Sequence, residues 1–307
     1  KTRHLGRVDN KNAYLDTEAI EKARGITVFL KQAILTVDHY EMTLMDTPGH
    51  VDFSAEMERV LGVLDYALLI VSGTEGVQSH TITLWRLLEA YEVPVFVFVN
   101  KMDRSSFSEE NLLSQLKETL SSNCVLFNTP VDKQFYEQLA LCDDQLLTQY
   151  LSDGALTNET IQEGICKRWI TPVYFGSALK LEGIDLLMEG LKTYTDTPVY
   201  SDDFGARIYK ISRDAQGNRL THLKVTGGVL KVKDVLSNGV WSEKVNQIRL
   251  YSGERFEAVN QVVAGAICAV TGLNESMAGR GLGFEPEVLL PLLEPVLSYR
   301  VVLPPDV

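Results

Sequence analysis

The chain has 307 residues, 45% of them hydrophobic, with 29 Lys and Arg against 41 Asp and Glu, a formal net charge of −12. That length is enough for two globular domains. The acidic balance excludes a general nucleic-acid-coating protein, because phosphate contacts need clustered Lys and Arg.

Residues 1 to about 25 are polar and loop-like. Residues 28–37 and 41–45 read as two strands joined by a hairpin at Asp38-His39-Tyr40, with His39 an exposed turn residue. Asp46-Thr47-Pro48-Gly49-His50 follows the second strand directly. Ser54 is placed to cap the next helix, where Met57, Val60, Leu61 and Leu64 fall at i, i+3, i+4 and i+7 and form one buried face. Residues 66–71 read as a buried strand, and 79–91 as a helix with Trp85 in the core. Residues 95–99 are an unbroken apolar run, as expected of a buried parallel strand. Asn100-Lys101-Met102-Asp103 opens the loop after it. A helix follows over 109–120, an acidic helical stretch over 132–167, a last strand at 172–175 and a last helix at 184–194. Within the acidic stretch, Asp143-Asp144 reads as a solvated helix face, since no base or metal motif accompanies it. Alternating strands and helices mean an α/β domain with a mostly parallel sheet covered on both faces.

The pattern changes near Thr197-Pro198. Short alternating runs at 206–211, 220–225, 228–233, 243–250 and 266–271 are split by turn signals at 214–218 and 226–228. Such spacing predicts an antiparallel β-barrel. Residues 292–303 read as the opening strand of a third domain. Four cysteines, Cys124, Cys142, Cys166 and Cys268, are widely spaced without Cys-x-x-Cys. They fit buried or half-buried thiols in a reducing, cytoplasmic compartment, and neither zinc nor a disulfide framework. No run is long enough to span a membrane, and no secretory leader is visible.

Two motifs carry the chemistry. A carboxylate at Asp46, at the carboxyl end of a strand, is suited to Mg²⁺, which takes one or two carboxylates plus substrate phosphates. Pro48-Gly49 turns the chain and brings a backbone N–H close to a phosphate. His50 stands where a side chain orients an attacking water, a role other nucleotide hydrolases give to Gln. In the second motif Asp103 accepts hydrogen bonds from N1–H and the 2-amino group of guanine. Lys101 lays its stem along the base plane, and Asn100 ties the loop together. A site of such polar pairs rejects bases lacking the donors by roughly 10⁴-fold or more. In an open α/β sheet both motifs belong to the crevice outside the carboxyl ends of the strands. Together they imply GTP. Each alone is also compatible with an ordinary strand-to-helix turn.

On Arg24-Gly25-Ile26-Thr27, Asp46-Thr47-Pro48-Gly49-His50-Val51-Asp52-Phe53, Asn100-Lys101-Met102-Asp103 and Gly176-Ser177-Ala178, the chain resembles the translational GTPases of the elongation factor G class. Within them it is most similar to the tetracycline-resistance ribosomal protection proteins and their Gram-positive relatives. The resemblance implies a P-loop NTPase-like G domain over 1–198, a β-barrel second domain over 199–288 and the start of a third over 289–307. It implies that Thr27 is a switch threonine reaching Mg²⁺ and the γ-phosphate, with Ile26 forming an apolar gate beside His50. Gly49 would donate its N–H to the γ-phosphate, while Ser177 and Ala178 close over the guanine with a backbone N–H to O6. The implied cofactors are GTP or GDP and Mg²⁺. The implied partner is the ribosome, through rRNA and ribosomal proteins, with no membrane, no DNA and a monomeric chain.

No Gly-x-x-x-x-Gly-Lys-[Ser/Thr] run occurs in the sequence. That loop cradles the α- and β-phosphates. The expectation is a chain that starts beyond it, near the end of the first helix, and is by itself inactive. Two functions stay open besides a fragment with only a docking role. One is a ribosome-dependent GTPase, in drug displacement or in translocation. The other is a GTP-dependent binding module with negligible hydrolysis.

Overall fold

The computed structural model describes residues 27, 30–37, 40–50, 54–253 and 255–286. Strands β1 (Lys31–Val37) and β2 (Tyr40–Asp46) pair antiparallel, with Lys31 opposite Asp46. His39 and residues 292–303 lie outside the described residues. Helix α1 (Ser54–Leu61) follows, then β3 (Ala67–Ser72), α2 (Ser79–Ala90), β4 (Val95–Asn100), α3 (Glu109–Thr119) and β5 (Cys124–Leu126). The acidic stretch is three helices, α4 (Lys133–Ala140), α5 (Asp144–Asp153) and α6 (Asn158–Cys166). Side chains of Asp132, Asp143 and Thr157 cap them by accepting from backbone N–H groups three, two and three residues on. Asp143 is therefore a cap, where the sequence predicted only a solvated face. Strand β6 (Thr171–Phe175) and helix α7 (Ile184–Tyr194) complete this part.

Strands β3, β4, β6 and β5 lie side by side in that order, all parallel. Val95, Val97 and Val99 of β4 face a core built with Met57, Leu61, Trp85, Leu88, Leu112 and Leu116. Phe96 and Phe98 face a second core with Leu139, Ile161, Ile165 and Leu187. Helices on both faces leave no polar side, which is why the strand is apolar throughout. Cys124 and Cys268 are buried, and burial pushes both thiols up to about 12, which makes them inert at neutral pH. Cys166 departs from the buried expectation. It closes α6 at the surface, with its sulfur 3.0 Å from the Tyr66 hydroxyl.

From Gly205 the chain is antiparallel. Strands β7 (Gly205–Arg213), β8 (Arg219–Gly227), β9 (Val229–Lys231), β10 (Val235–Ser237) and β11 (Ser242–Lys244) come first. Strands β12 (Gln247–Ser252), β13 (Arg255–Val259), β14 (Gln261–Val263), β15 (Ile267–Thr271) and β16 (Arg280–Gly283) follow. Six form one sheet in the order β13-β12-β15-β8-β7-β16, and β9–β14 and β10–β11 form short pairs. All wrap one core containing Ile208, Leu223, Leu230, Leu236, Val262 and Val270. Among the described residues, short pairs complete the enclosure rather than one continuous ladder. The run at 243–250 is two strands, because Val245 bonds to the 233–234 turn while Asn246 bonds to Thr271.

The antiparallel part grips the first part at two places. Lys224 of β8, with its side chain 5% exposed, donates to the Val63 carbonyl at 3.0 Å and pairs with Asp65. Arg207 of β7 donates to the Gly62 carbonyl at 2.9 Å. Both cations meet carbonyls just past the C-terminal end of α1, where a helix leaves acceptors unpaired and carries partial negative charge. Val60 and Val63 pack with Leu30, Tyr209 and Ile267 beneath them. The second grip is on β1. Gln32 Nε2 donates to the Tyr251 carbonyl at 2.8 Å, and Gly253 N donates to the Gln32 carbonyl at 2.8 Å. Thus the strand after Thr27 and the helix after His50 share one base. Lys224→Met leaves half-exposed Asp65 to solvent and the Tyr200 hydroxyl but strips the buried Val63 carbonyl of its cation. The expected loss is about 1–3 kcal/mol in urea unfolding, with faster amide exchange at Val63 and Leu64; an unchanged midpoint and exchange pattern would remove the clasp from the account.

Candidate functional site

Strands β4 and β6 are parallel neighbours ending at Asn100 and Phe175, so the loops after them leave the same edge of the sheet. Lys101 takes a left-handed backbone, φ 64°, and residues Met102–Arg104 make one turn of 3-10 helix. A positive φ is unfavourable for a lysine, and the Asn100 side chain holds it. Asn100 Oδ1 accepts from Lys101 N at 2.8 Å and from Ala178 N at 2.9 Å, joining its own loop to the loop after β6.

Asp103 is joined in the same way. Its Oδ1 accepts from the Ser177 hydroxyl at 2.7 Å, and Met102 N donates to the Gly176 carbonyl at 3.1 Å. The Asp103 side chain is 8% exposed, with Arg104 Nε 3.9 Å from Oδ2. Donation from Ser177 holds the Asp103 carboxyl below the usual carboxylate range, helped by Lys180 and Arg104 and opposed by burial. Gly176 has a steric reason. A Cβ there would lie 2.2 Å from the Glu182 carbonyl oxygen and 2.9 Å from the Phe98 ring. Ser177 and Glu182 form an antiparallel bridge before α7 begins, so this segment is a closed loop and not a plain helix start.

The loop after β3 joins too, which sequence reasoning missed. Gly73 N donates to the Asn100 carbonyl at 2.7 Å, and the Ser105 hydroxyl donates to the Gly73 carbonyl at 2.7 Å. A Cβ on Gly73 would lie 2.6 Å from Met102 Sδ. A glycine directly after a buried strand was the available signal. Asn128 was missed as well, and no sequence signal marks it: its amide bonds both backbone groups of Phe175.

Direct hydrogen bonds therefore bring together Asn100, Asp103, Ser177 and Ala178, with Lys101 exposed beside them. The other expected site residues stand apart in the pairing scheme. Asp46 ends β2, which belongs to the two-stranded sheet and not to the four-stranded one. Pro48 is buried, while Gly49 and His50 are exposed. Among the described residues, a Cβ on Gly49 would meet nothing within 4 Å. Thr27 is half-buried. Ile26, Arg24 and Gly25 lie outside the described residues, as do residues 51–53. Among the described residues no group of three or more His, Cys, Asp or Glu forms a metal cage.

The profile of the elongation factor Tu GTP binding domain matches residues 1–197, and that of elongation factor G domain 2 matches residues 203–281. The chain belongs to the translational GTPases. It is 31% identical to the oxytetracycline resistance protein of Streptomyces rimosus over 315 residues, 91% of this chain and 48% of that protein. It thus spans about half the length of the curated relative it matches. The crystal structure of a Thermus thermophilus protein shares its fold, with a TM-score of 0.83 at 21% identity over 95% of this chain and 52% of that one. In this member of the family the set of Asn100, Asp103, Ser177 and Ala178 is ordered by protein contacts. No helix among the described residues is long and apolar enough to cross a membrane.

The Ser177–Asp103 bond gives a test that needs no ligand. Hydroxyl donation favours the ionised carboxylate, so Ser177→Ala should raise the Asp103 pKa toward its ordinary value. Carbon-13 NMR titration of the Asp103 carboxyl reads this, and an unmoved midpoint would show that the hydroxyl is not the cause.

Proposed function

We propose that the natural protein is a ribosome-dependent GTPase acting in translation, in which Asn100, Lys101 and Asp103 read guanine. The observation that carries this reading is the pair of side-chain bonds from Asn100 and Asp103 to the loop of Ala178 and Ser177. An ionised, oriented Asp103 matches two adjacent donors on the guanine edge, N1–H and the 2-amino group. The exposed Lys101 stem covers the base plane. The Ala178 N–H, directed at Asn100, is shared with O6, and Ser177 closes the far side.

At the other end, Asp46 and Thr27 hold Mg²⁺, which supplies charge neutralisation at the phosphates when bound. A donor set this small fits an ion that keeps its waters and arrives on a phosphate, rather than a resident metal cage. Gly49, where a Cβ would meet none of the described residues, presents its N–H to the γ-phosphate. His50, exposed at the mouth, orients the attacking water, with Ile26 as its apolar gate. Loss of the γ-phosphate releases the contacts of Thr27 and Gly49 and converts a ribosome-bound form into a releasing one. We assign residues 1–198 to the GTP-binding domain, 199–288 to the barrel that faces the small ribosomal subunit, and 289–307 to a third domain. The resistance protein named above favours drug displacement as the job, with translocation the other candidate. Without a phosphate-cradling run, the 307-residue chain alone holds nucleotide weakly and is inactive.

Hydrolysis by the full-length protein with and without ribosomes tests the reading. His50→Ala is expected to lower ribosome-stimulated turnover by about 10²-fold or more, with GTP affinity unchanged. Baseline hydrolysis in the wild type would instead identify a GTP-dependent clamp. Asp103→Asn should move preference from guanine to xanthine nucleotides, whose 2-oxo group matches the new amide donor. Retained guanine preference would refute the base reader.

A further inference from the structure

We propose that Asn128 is a positioning residue that sets guanine selectivity by pinning the end of β6, an inference that rests on the base-reading assignment above. Strand β5 is the edge of the parallel sheet and is short. It pairs with β6 at Cys124, Val125 and Leu126, and Phe127 N adds a bond to the Val173 carbonyl at 2.9 Å. In a strand, alternate residues direct their N–H and C=O to the same neighbour. Gly176 N bonds to Val99 on the β4 side, so the backbone of Phe175 faces the β5 side, where the ladder has ended. Asn128 supplies what the missing strand does not. Its Oδ1 accepts from Phe175 N at 2.8 Å, and its Nδ2 donates to the Phe175 carbonyl at 2.9 Å. One carboxamide thus imitates a further strand residue, and the two backbone groups fix which end of the amide is oxygen.

Phe175 is 2% exposed, and it immediately precedes the three residues of the β6 loop that bond to the loop after β4. Gly176 accepts from Met102 N, Ser177 donates to Asp103, and Ala178 donates to Asn100. The Phe175 carbonyl is also closely approached by Gly183, where a Cβ would stand 2.3 Å from it. The Asn128 amide and that close approach both restrain the end of β6. Removing the amide leaves two buried backbone groups without partners, and the strand end frays into water to satisfy them. Ser177 then no longer holds Asp103 at the distance the base edge requires, and small displacements of a polar reader are costly.

This gives a signature that a purely stabilising role lacks. Guanine offers Asp103 two donors, whereas hypoxanthine lacks the 2-amino group and offers one. A displaced Asp103 loses more with GDP than with IDP, while a general loss of folded protein lowers both alike. In the full-length protein, Asn128→Ala should weaken GDP binding by about fivefold or more and IDP binding less. The GDP-over-IDP preference then falls by about threefold or more. Asn128→Asp keeps the size and the acceptor for Phe175 N–H but loses the donor, so it should lower the ratio in the same direction; it carries the test if the alanine variant does not fold. Affinities read by displacement of a fluorescent guanine nucleotide decide the matter. Parallel loss for GDP and IDP in these variants, or no loss for either, overturns the proposal. A wild type without preference for GDP over ADP overturns the base-reading assignment itself, and with it this inference.

Discussion

One carboxamide oxygen, Oδ1 of Asn100, holds the functional edge of the first domain together. It accepts two backbone N–H groups, one from its own left-handed neighbour and one from a residue 78 positions away. The strain at Lys101 costs about 1–2 kcal/mol. Each hydrogen bond contributes about 0.5–1.5 kcal/mol net, so two bonds at one atom offset it. The conformation persists because strand β4 ends in the same place each time, locked between two apolar cores. The sheet, locked between its two cores, therefore fixes the loops that leave its edge.

Three loops meet at this edge, and each contributes a different physical device. The loop after β3 contributes a glycine that lets Met102 pack within reach. The loop after β4 contributes the polar side chains of Asn100 and Asp103. The loop after β6 contributes a hydroxyl that lowers the Asp103 pKa and fixes the carboxylate in place. Farther away, Lys224 and Arg207 clasp the end of α1, and Tyr251 and Gly253 hold Gln32 of β1. The segments bearing Thr27 and His50 thus run into elements anchored on the antiparallel domain. A shift of α1 or β1 would work against these bonds to β7, β8 and the end of β12.

Much of this was legible in the linear chain. The unbroken apolar run of Val95 to Val99 announced a strand covered on both faces, and Met57, Val60 and Leu61 announced the buried side of α1. The short strands β10, β13, β14 and β16 were not foreseen. They are brief, and charged or polar residues such as Arg255, Glu257, Gln261 and Arg280 dilute their alternation. The split at Val245 and Asn246 was hidden because both residues are strand-like locally, and only their partners differ.

The sequence by itself determined the fold class and the order of the two domains, and it marked Asn100, Asp103, Ser177 and Ala178 as candidate site groups, because burial periodicity and short polar motifs are written in consecutive residues. Only the tertiary structure decided what positions those groups. Asn128 acts on a residue 47 positions away, Lys224 on one 161 positions away, and Gly73 on whatever β4 brings beside it. A hydrogen bond depends on distance in space, and no local pattern encodes which distant backbone group will stand within about 3 Å of an amide or a lysine.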